Sequence, residues 1–162
     1  MADFTDLTGV ISTLGVFVNQ GTLAAPDWQY MCAVNARAHN ITRGETTTTV
    51  VATCGPGAPV ENWRTAGALD WTITAEAALE LETFDFCRDW ILSGSQKMVR
   101  VVYYTGPKDA LLPHGFYTGM GVLLEYPSNQ PDADGIPQAS ISISKGAGSL
   151  IWTSGAPSGG GA

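Results

Sequence analysis

Trp71-Thr72-Ile73-Thr74-Ala75-Glu76-Ala77-Ala78-Leu79-Glu80-Leu81-Glu82 is the stretch that decides the fold. Trp71, Ile73, Ala75, Ala77, Leu79 and Leu81 share one parity. Thr72, Thr74, Glu76, Ala78, Glu80 and Glu82 share the other. Successive residues of a strand point to opposite sides of a sheet, so this order gives one apolar face and one polar face. Wound as a helix, the same residues would scatter their apolar groups around the cylinder. Ala and Glu favour helix by local propensity, but periodicity outweighs propensity over a run this long. The stretch reads as a long, half-buried strand.

Immediately downstream the period changes. Phe84, Cys87 and Ile91 follow helical spacing, Thr83 is placed to cap, Asp85 falls in the first turn and Gly94 is placed to end the element. A helix is expected over 83–93. Asp85 and Asp89, four residues apart, could hold a cation, but a first-turn charge and a partner for Arg88 account for them as well. Beyond the helix, Met98 to Tyr104 is apolar or aromatic on both faces apart from Arg100, the pattern of a central strand. Phe116 to Tyr126 reads as another strand, with Phe116, Met120, Val122, Leu124 and Tyr126 on one side. Gly119 and Gly121 lie on the other, where a neighbouring backbone is expected close by. Ala139 to Ser144 alternates cleanly. Gly146-Ala147-Gly148 supplies turn residues, and Leu150 to Thr153 is expected to pair back as a hairpin. Upstream, Val16–Asn19, Gln29–Thr42 and Thr47–Thr53 complete seven to eight strands. The fold class is mainly β, an antiparallel sandwich or barrel-like sheet with one flanking helix.

The organisation that follows is one domain, residues 14–154, which contains a long loop at 54–68. A polar arm, 1–13, precedes it and a flexible Gly-rich tail, 155–162, follows it. At 162 residues and 44% hydrophobic, the chain is large enough to bury a core without staples. Only 14% of residues are charged, and a surface short of charge and rich in small residues suits contact with other protein. The net charge is −7 and the eight basic residues are scattered, so the chain is not built to grip nucleic acid. The first residues carry no basic, apolar leader pattern, and no run approaches the length of a membrane helix, so no membrane anchor is expected. Cys32, Cys54 and Cys87 are odd in number and far apart, which fits reduced thiols and folding in a cytoplasm.

The motifs of catalysis are missing. His39 and His114 have no ligand spacing with each other or with a cysteine, so no metal and no cofactor is expected. No nucleophile elbow, phosphate loop or Cys–His signature occurs. Glu76, Glu80 and Glu82 are carboxylates on one strand face, a pattern more often solvated than catalytic. An exposed Thr, Ser and Glu face, two terminal arms and a Trp-bearing loop fit a non-enzymatic protein that works by self-association, joining sheet edges between subunits.

The order of features resembles the phage major tail tube protein family from about Gly15 to Thr153. The resemblance rests on Arg43-Gly44-Glu45-Thr46-Thr47 before a loop, then Thr65-Ala66-Gly67-Ala68-Leu69-Asp70-Trp71-Thr72-Ile73, then the helix. A strand running into Thr105-Gly106 follows, then Phe116-Tyr117-Thr118-Gly119-Met120-Gly121 and the hairpin Ser144-Lys145-Gly146-Ala147-Gly148. It implies a subunit that polymerises as stacked hexameric rings into a hollow virion tail tube, a fold shared with type VI secretion tubes. The implied partners are further copies of the chain, a tape-measure protein in the lumen during assembly, and tail tip and terminator or connector proteins. Double-stranded DNA would pass without specific binding. Assembly would occur in the host cytoplasm. On that reading Thr72, Thr74, Glu76, Glu80 and Glu82 are candidates to face the lumen, where negative charge repels phosphates within a Debye length of about 8 Å. Glu61, Asn62, Trp63 and Arg64 are candidates for contact with the next ring. The alternatives are a carbohydrate-binding β-sandwich module or another phage tail structural component.

Overall fold

The computed structural model describes residues 10–31, 34–51, 55, 57–78, 81–129 and 138–158. They form nine strands and one helix: β1 (Ile11–Asn19), β2 (Trp28–Tyr30), β3 (Val34–Val51), β4 (Val60–Ala78), α1 (Leu81–Ser93), β5 (Lys97–Thr105), β6 (Leu112–Glu125), β7 (Ser128–Asn129), β8 (Gln138–Lys145) and β9 (Ile151–Ser154). Every strand pairing is antiparallel. The sheet runs β2-β1-β5-β6-β8-β4-β3, with β7 on β8 and β9 on β6. The mainly-β class with one helix is as expected. The expected strands 29–42 and 47–53 are instead the short β2 and one continuous β3, and the unexpected β7 brings the count to nine.

The sheet turns back on itself at β6. Gly121 belongs to two ladders, opposite Lys97 of β5 and opposite Lys145 of β8. Val16, Val18, Val99 and Val101 from one half of the sheet therefore pack with Trp71, Ile73, Ala75, Ile141 and Ile143 from the other. Cys87 and Trp90 of α1 complete this core. The Trp71 to Ala75 alternation is realised: Trp71, Ile73 and Ala75 are buried, Thr72 is half-buried, and Thr74 and Glu76 are exposed. Two side chains of β3 cross from that end of the path to the other. Arg37 donates through Nη1 to the Leu14 carbonyl of β1 and through Nη2 to the Tyr30 hydroxyl of β2. His39 Nδ1 shares a hydrogen bond of 2.8 Å with the Tyr103 hydroxyl of β5. These links give the sheet its barrel-like closure.

β5 is central, as its two-faced apolarity predicts. Val99 and Val101 face the main core, while Val102 joins a second cluster with Phe17, Trp28 and Phe116. On β6 the expected facing is reversed in the second half. Gly119, Gly121 and Leu123 are buried, whereas Leu124 is exposed and Val122 half-buried. The glycines make room for a side chain, not a backbone. A Cβ on Gly121 would lie 3.1 Å from the Trp71 indole, 2.8 Å from Ile143 and 3.0 Å from Val99.

Four expectations change. The segment 54–68 is not a loop throughout, because residues from Val60 onward are strand paired with β3 out to Val51↔Val60. Part of the 1–13 arm is strand, since β1 starts at Ile11 and pairs with β5. The helix starts at Leu81, so Thr83 lies within it and is not its cap; Gly94, at φ 59°, does end it. β9 pairs with β6 and not with β8, because β6 has a free edge at Gly115–Thr118 that β8 does not reach. Residues 1–9 of the arm, 159–162 of the tail, Leu79, Glu80, Cys32 and Cys54 lie outside the described residues.

Candidate functional site

Two surfaces stand out, one on each half of the β3–β4 ribbon. The first is the outward face of β3, β4 and β8. In register across it lie Asn40, Thr72 and Ser144, then Ala38, Thr74 and Ser142, then Glu76 and Ser140. Glu125 of β6 sits opposite Ser142 and is exposed. Because β8 alternates Ser with Ala and Ile, the parity that buries Ala139, Ile141 and Ile143 turns three hydroxyls outward. The result is a shallow surface of small hydroxyls flanked by two carboxylates. The nearby amine of Lys145 donates to the Leu69 carbonyl at 2.8 Å.

Of the lumen candidates, Thr72, Thr74 and Glu76 share this face. Glu82 does not: it is in the first turn of α1, where its carboxylate accepts from Gln29 Nε2 at 3.5 Å. Glu80 lies outside the described residues. The strand ends at Ala78, so the parity of the sequence cannot carry over into the helix. Glu125, which the expected row omitted, supplies the second carboxylate. Pairing between distant strands brings it there, and no local pattern marks it.

The second surface is an arm. Beyond the irregularity between Arg43 and Glu45, β3 and β4 continue as a two-stranded ribbon. Glu45–Thr49 and Val60–Ala66 are exposed on both faces. Gly44 and Gly67 meet at its root, where a Cβ on Gly67 would come within 3.0 Å of the Gly44 carbonyl oxygen. Glu61, Asn62, Trp63 and Arg64 all lie on this arm. Trp63 is 59% exposed, and its Nε1 donates to Glu61 at 3.2 Å. Thr49 donates to Asn62 at 3.0 Å, and Arg64 pairs with Glu45 at 3.3 Å. Val51 and Val60 add exposed apolar surface toward the tip.

The titratable groups elsewhere have structural settings. Burial lowers the His39 pKa to about 4, and its ring stands edge-on to Trp71 and Tyr117. Burial pushes the Cys87 thiol up to about 12, far from thiolate reactivity. Arg88 bridges Asp85 at 2.7 Å and Asp89 at 2.8 Å, which occupies the carboxylate pair on the helix. Among the described residues no cluster of His, Cys, Asp and Glu could hold a metal ion.

No protein-family model matches the chain, and no curated protein sequence does. Solved structures do. The tail of an empty gene transfer agent particle, refined with C6 helical symmetry, is 14% identical with a TM-score of 0.63, over 86% of this chain and 96% of that one. The SPP1 tail tube is 10% identical with a TM-score of 0.59, over 87% of this chain and 76% of that one. An extracellular contractile injection system sheath–tube complex is 16% identical with a TM-score of 0.56, over 90% of each chain. At these identities the likeness is one of fold, and the fold of this chain is that of tail tube subunits.

Proposed function

We propose that the chain is a structural, non-enzymatic tail tube subunit that polymerises as stacked hexameric rings into a hollow tube of a virion tail. The observation that carries this reading is the β3–β4 arm. A ribbon exposed on both faces has no core of its own, and an isolated two-stranded hairpin is marginal in water. A neighbouring subunit is what would cover it. Glu61, Asn62, Trp63 and Arg64 then contact the next ring. The fold likeness supports the same reading.

The hydroxyl face with Glu76 and Glu125 is the surface assigned to the lumen. Arg37 at its margin is engaged by the Leu14 carbonyl and the Tyr30 hydroxyl, and six copies multiply a net charge of −7, so passing DNA slides without sticking. The tape-measure protein occupies that lumen during assembly in the host cytoplasm, and tail tip and terminator proteins close its ends. Electron microscopy of the purified protein tests the assembly: rings or tubes are expected, and a persistent monomer that binds glycans overturns it. The lumen assignment is tested separately. Glu76→Lys with Glu125→Lys should leave tubes intact and impair DNA delivery; unchanged delivery places this face elsewhere.

A further inference from the structure

A third surface lies where the two ends of the sheet approach each other, between β1 and β3. β2 pairs with β1 only from Phe17 to Asn19, so among the described residues no strand flanks Ile11–Gly15 on that side. What crosses between β1 and β3 is the Arg37 side chain, which donates to the Leu14 carbonyl. Beside it the surface opens as a groove of about 470 Å³, lined by Ile11, Ser12, Thr13, Leu14, Arg37 and Tyr103. Ile11 is 45% exposed there, and Thr13, Leu14, Arg37 and Tyr103 are half-buried. The groove therefore joins three properties: apolar and aromatic walls, a cation, and a strand edge with no strand against it. Arg37 bonds to a carbonyl and a hydroxyl, but no carboxylate pairs with it among the described residues.

The complement of each property is on the arm. Glu61 and Trp63 are two residues apart on β4, so both point to the same side of the ribbon, and the indole Nε1 donates to the Glu61 carboxylate at 3.2 Å. Arg64 is taken by Glu45, whereas Glu61 has no cation among the described residues. The outer edge of β4 has no strand partner before Thr72. We propose that the β1–β3 groove receives the β3–β4 arm of a second copy of this chain. The Trp63 indole fills the groove, Glu61 faces Arg37 of the receiving subunit, and the free edge of β4 lies along Ile11–Gly15. The proposal rests on the self-assembly reading above and names the receiver of the arm. Charge selects this groove over that of about 380 Å³ on the hydroxyl face. The latter also borders Arg37, but it carries Glu76 and Glu125, which repel Glu61. The β1–β3 groove has no carboxylate in its lining. An indole seated in a pocket beside a guanidinium is the kind of contact that carries most of an interface's energy, and joining two free edges removes both.

Two experiments test it. Ser12→Trp fills the groove from an exposed position, so the monomer should melt as the wild type does. Its critical concentration for polymerisation should rise by roughly tenfold or more. If the wild type polymerises and Ser12→Trp does so at the same concentration, this groove is not the receiver and the tube reading stands. If the wild type never polymerises, the tube reading fails and takes the docking with it. The second experiment replaces Trp63 with the photoreactive residue benzoylphenylalanine, which keeps an aromatic side chain on the arm. That chain is assembled with an excess of isotopically heavy wild-type chain and irradiated. Mass spectrometry should find position 63 of the light chain joined to heavy peptides that contain residues 11–14, 37 or 103. Links confined to the light chain itself, or to other heavy peptides, overturn the proposal even if Ser12→Trp fails to fold.

Discussion

The two halves of the β3–β4 ribbon are built from the same two strands and live in different worlds. In the root, Trp71, Ile73 and Ala75 of β4 face a core supplied by four other strands and a helix. In the arm, from Val60 to Ala66, the same strand has β3 as its only partner among the described residues, and both faces are exposed. The β3–β4 ladder runs through both halves, but only the root adds β8 on the other edge of β4 and a core against one face. A two-stranded ribbon without them has little to hold it in place. Root residues therefore determine whether the subunit folds. Arm residues are free to serve a neighbour.

That contrast can be broken by mutation. The largest effect belongs to Trp71, 2% exposed at the centre of the root. Trp71→Ala should destabilise the monomer by roughly 3–5 kcal/mol in denaturant titration, and wild-type stability would show that the root does not depend on this core. Next comes Gly121→Ala. Its Cβ would press on Ile143, Val99 and Trp71, at an expected cost of about 1–3 kcal/mol. Gly44→Ala, at the base of the arm with its nearest contact at 3.9 Å, should not show that clash cost.

A smaller effect comes from pH. The folded pKa of His39, about 4, lies below the ordinary 6.5. As pH falls, the unfolded chain takes up the proton first, so His39 costs nothing above about pH 6.5 and drains stability between there and about 4. The slope should stay under about 1.4 kcal/mol per pH unit, the full linkage of one proton, because partial exposure screens it. Thermal melts at pH 7 and pH 5 should show a larger loss for wild type than for His39→Gln. Equal losses would mean the imidazole is already free to charge.

The smallest effects on folding belong to the arm. Trp63→Ala and Arg64→Ala should each change monomer stability by no more than about 0.5 kcal/mol, as exposed sites do. Trp63→Ala should nevertheless raise the concentration needed for polymerisation. A large loss of monomer stability would show that the arm folds back on its own subunit.

In the two cleanest alternations, though not on β6, the sequence by itself determined which residues face inward. Trp71, Ile73 and Ala75, and again Ile141 and Ile143, are buried as their period of two requires. It also determined that β5 is central and that Gly94 ends the helix. Those properties are local, set by parity and by backbone conformation. Other features depend on which strands meet. The arm was hidden because Gly, Pro and Ala before Val60 look like loop whether or not a partner strand runs alongside. β9 was assigned to the wrong neighbour because its own residues do not say which free edge is nearest. Glu125 came to the hydroxyl face, and Glu82 left it, through sheet register and the strand-to-helix change. Arg100 looked like one charge in an apolar strand; only the packing of Trp28 and Phe116 on its guanidinium shows that it is buried. Local periodicity chooses a face, but the partner across that face is chosen by contacts between residues far apart in the chain.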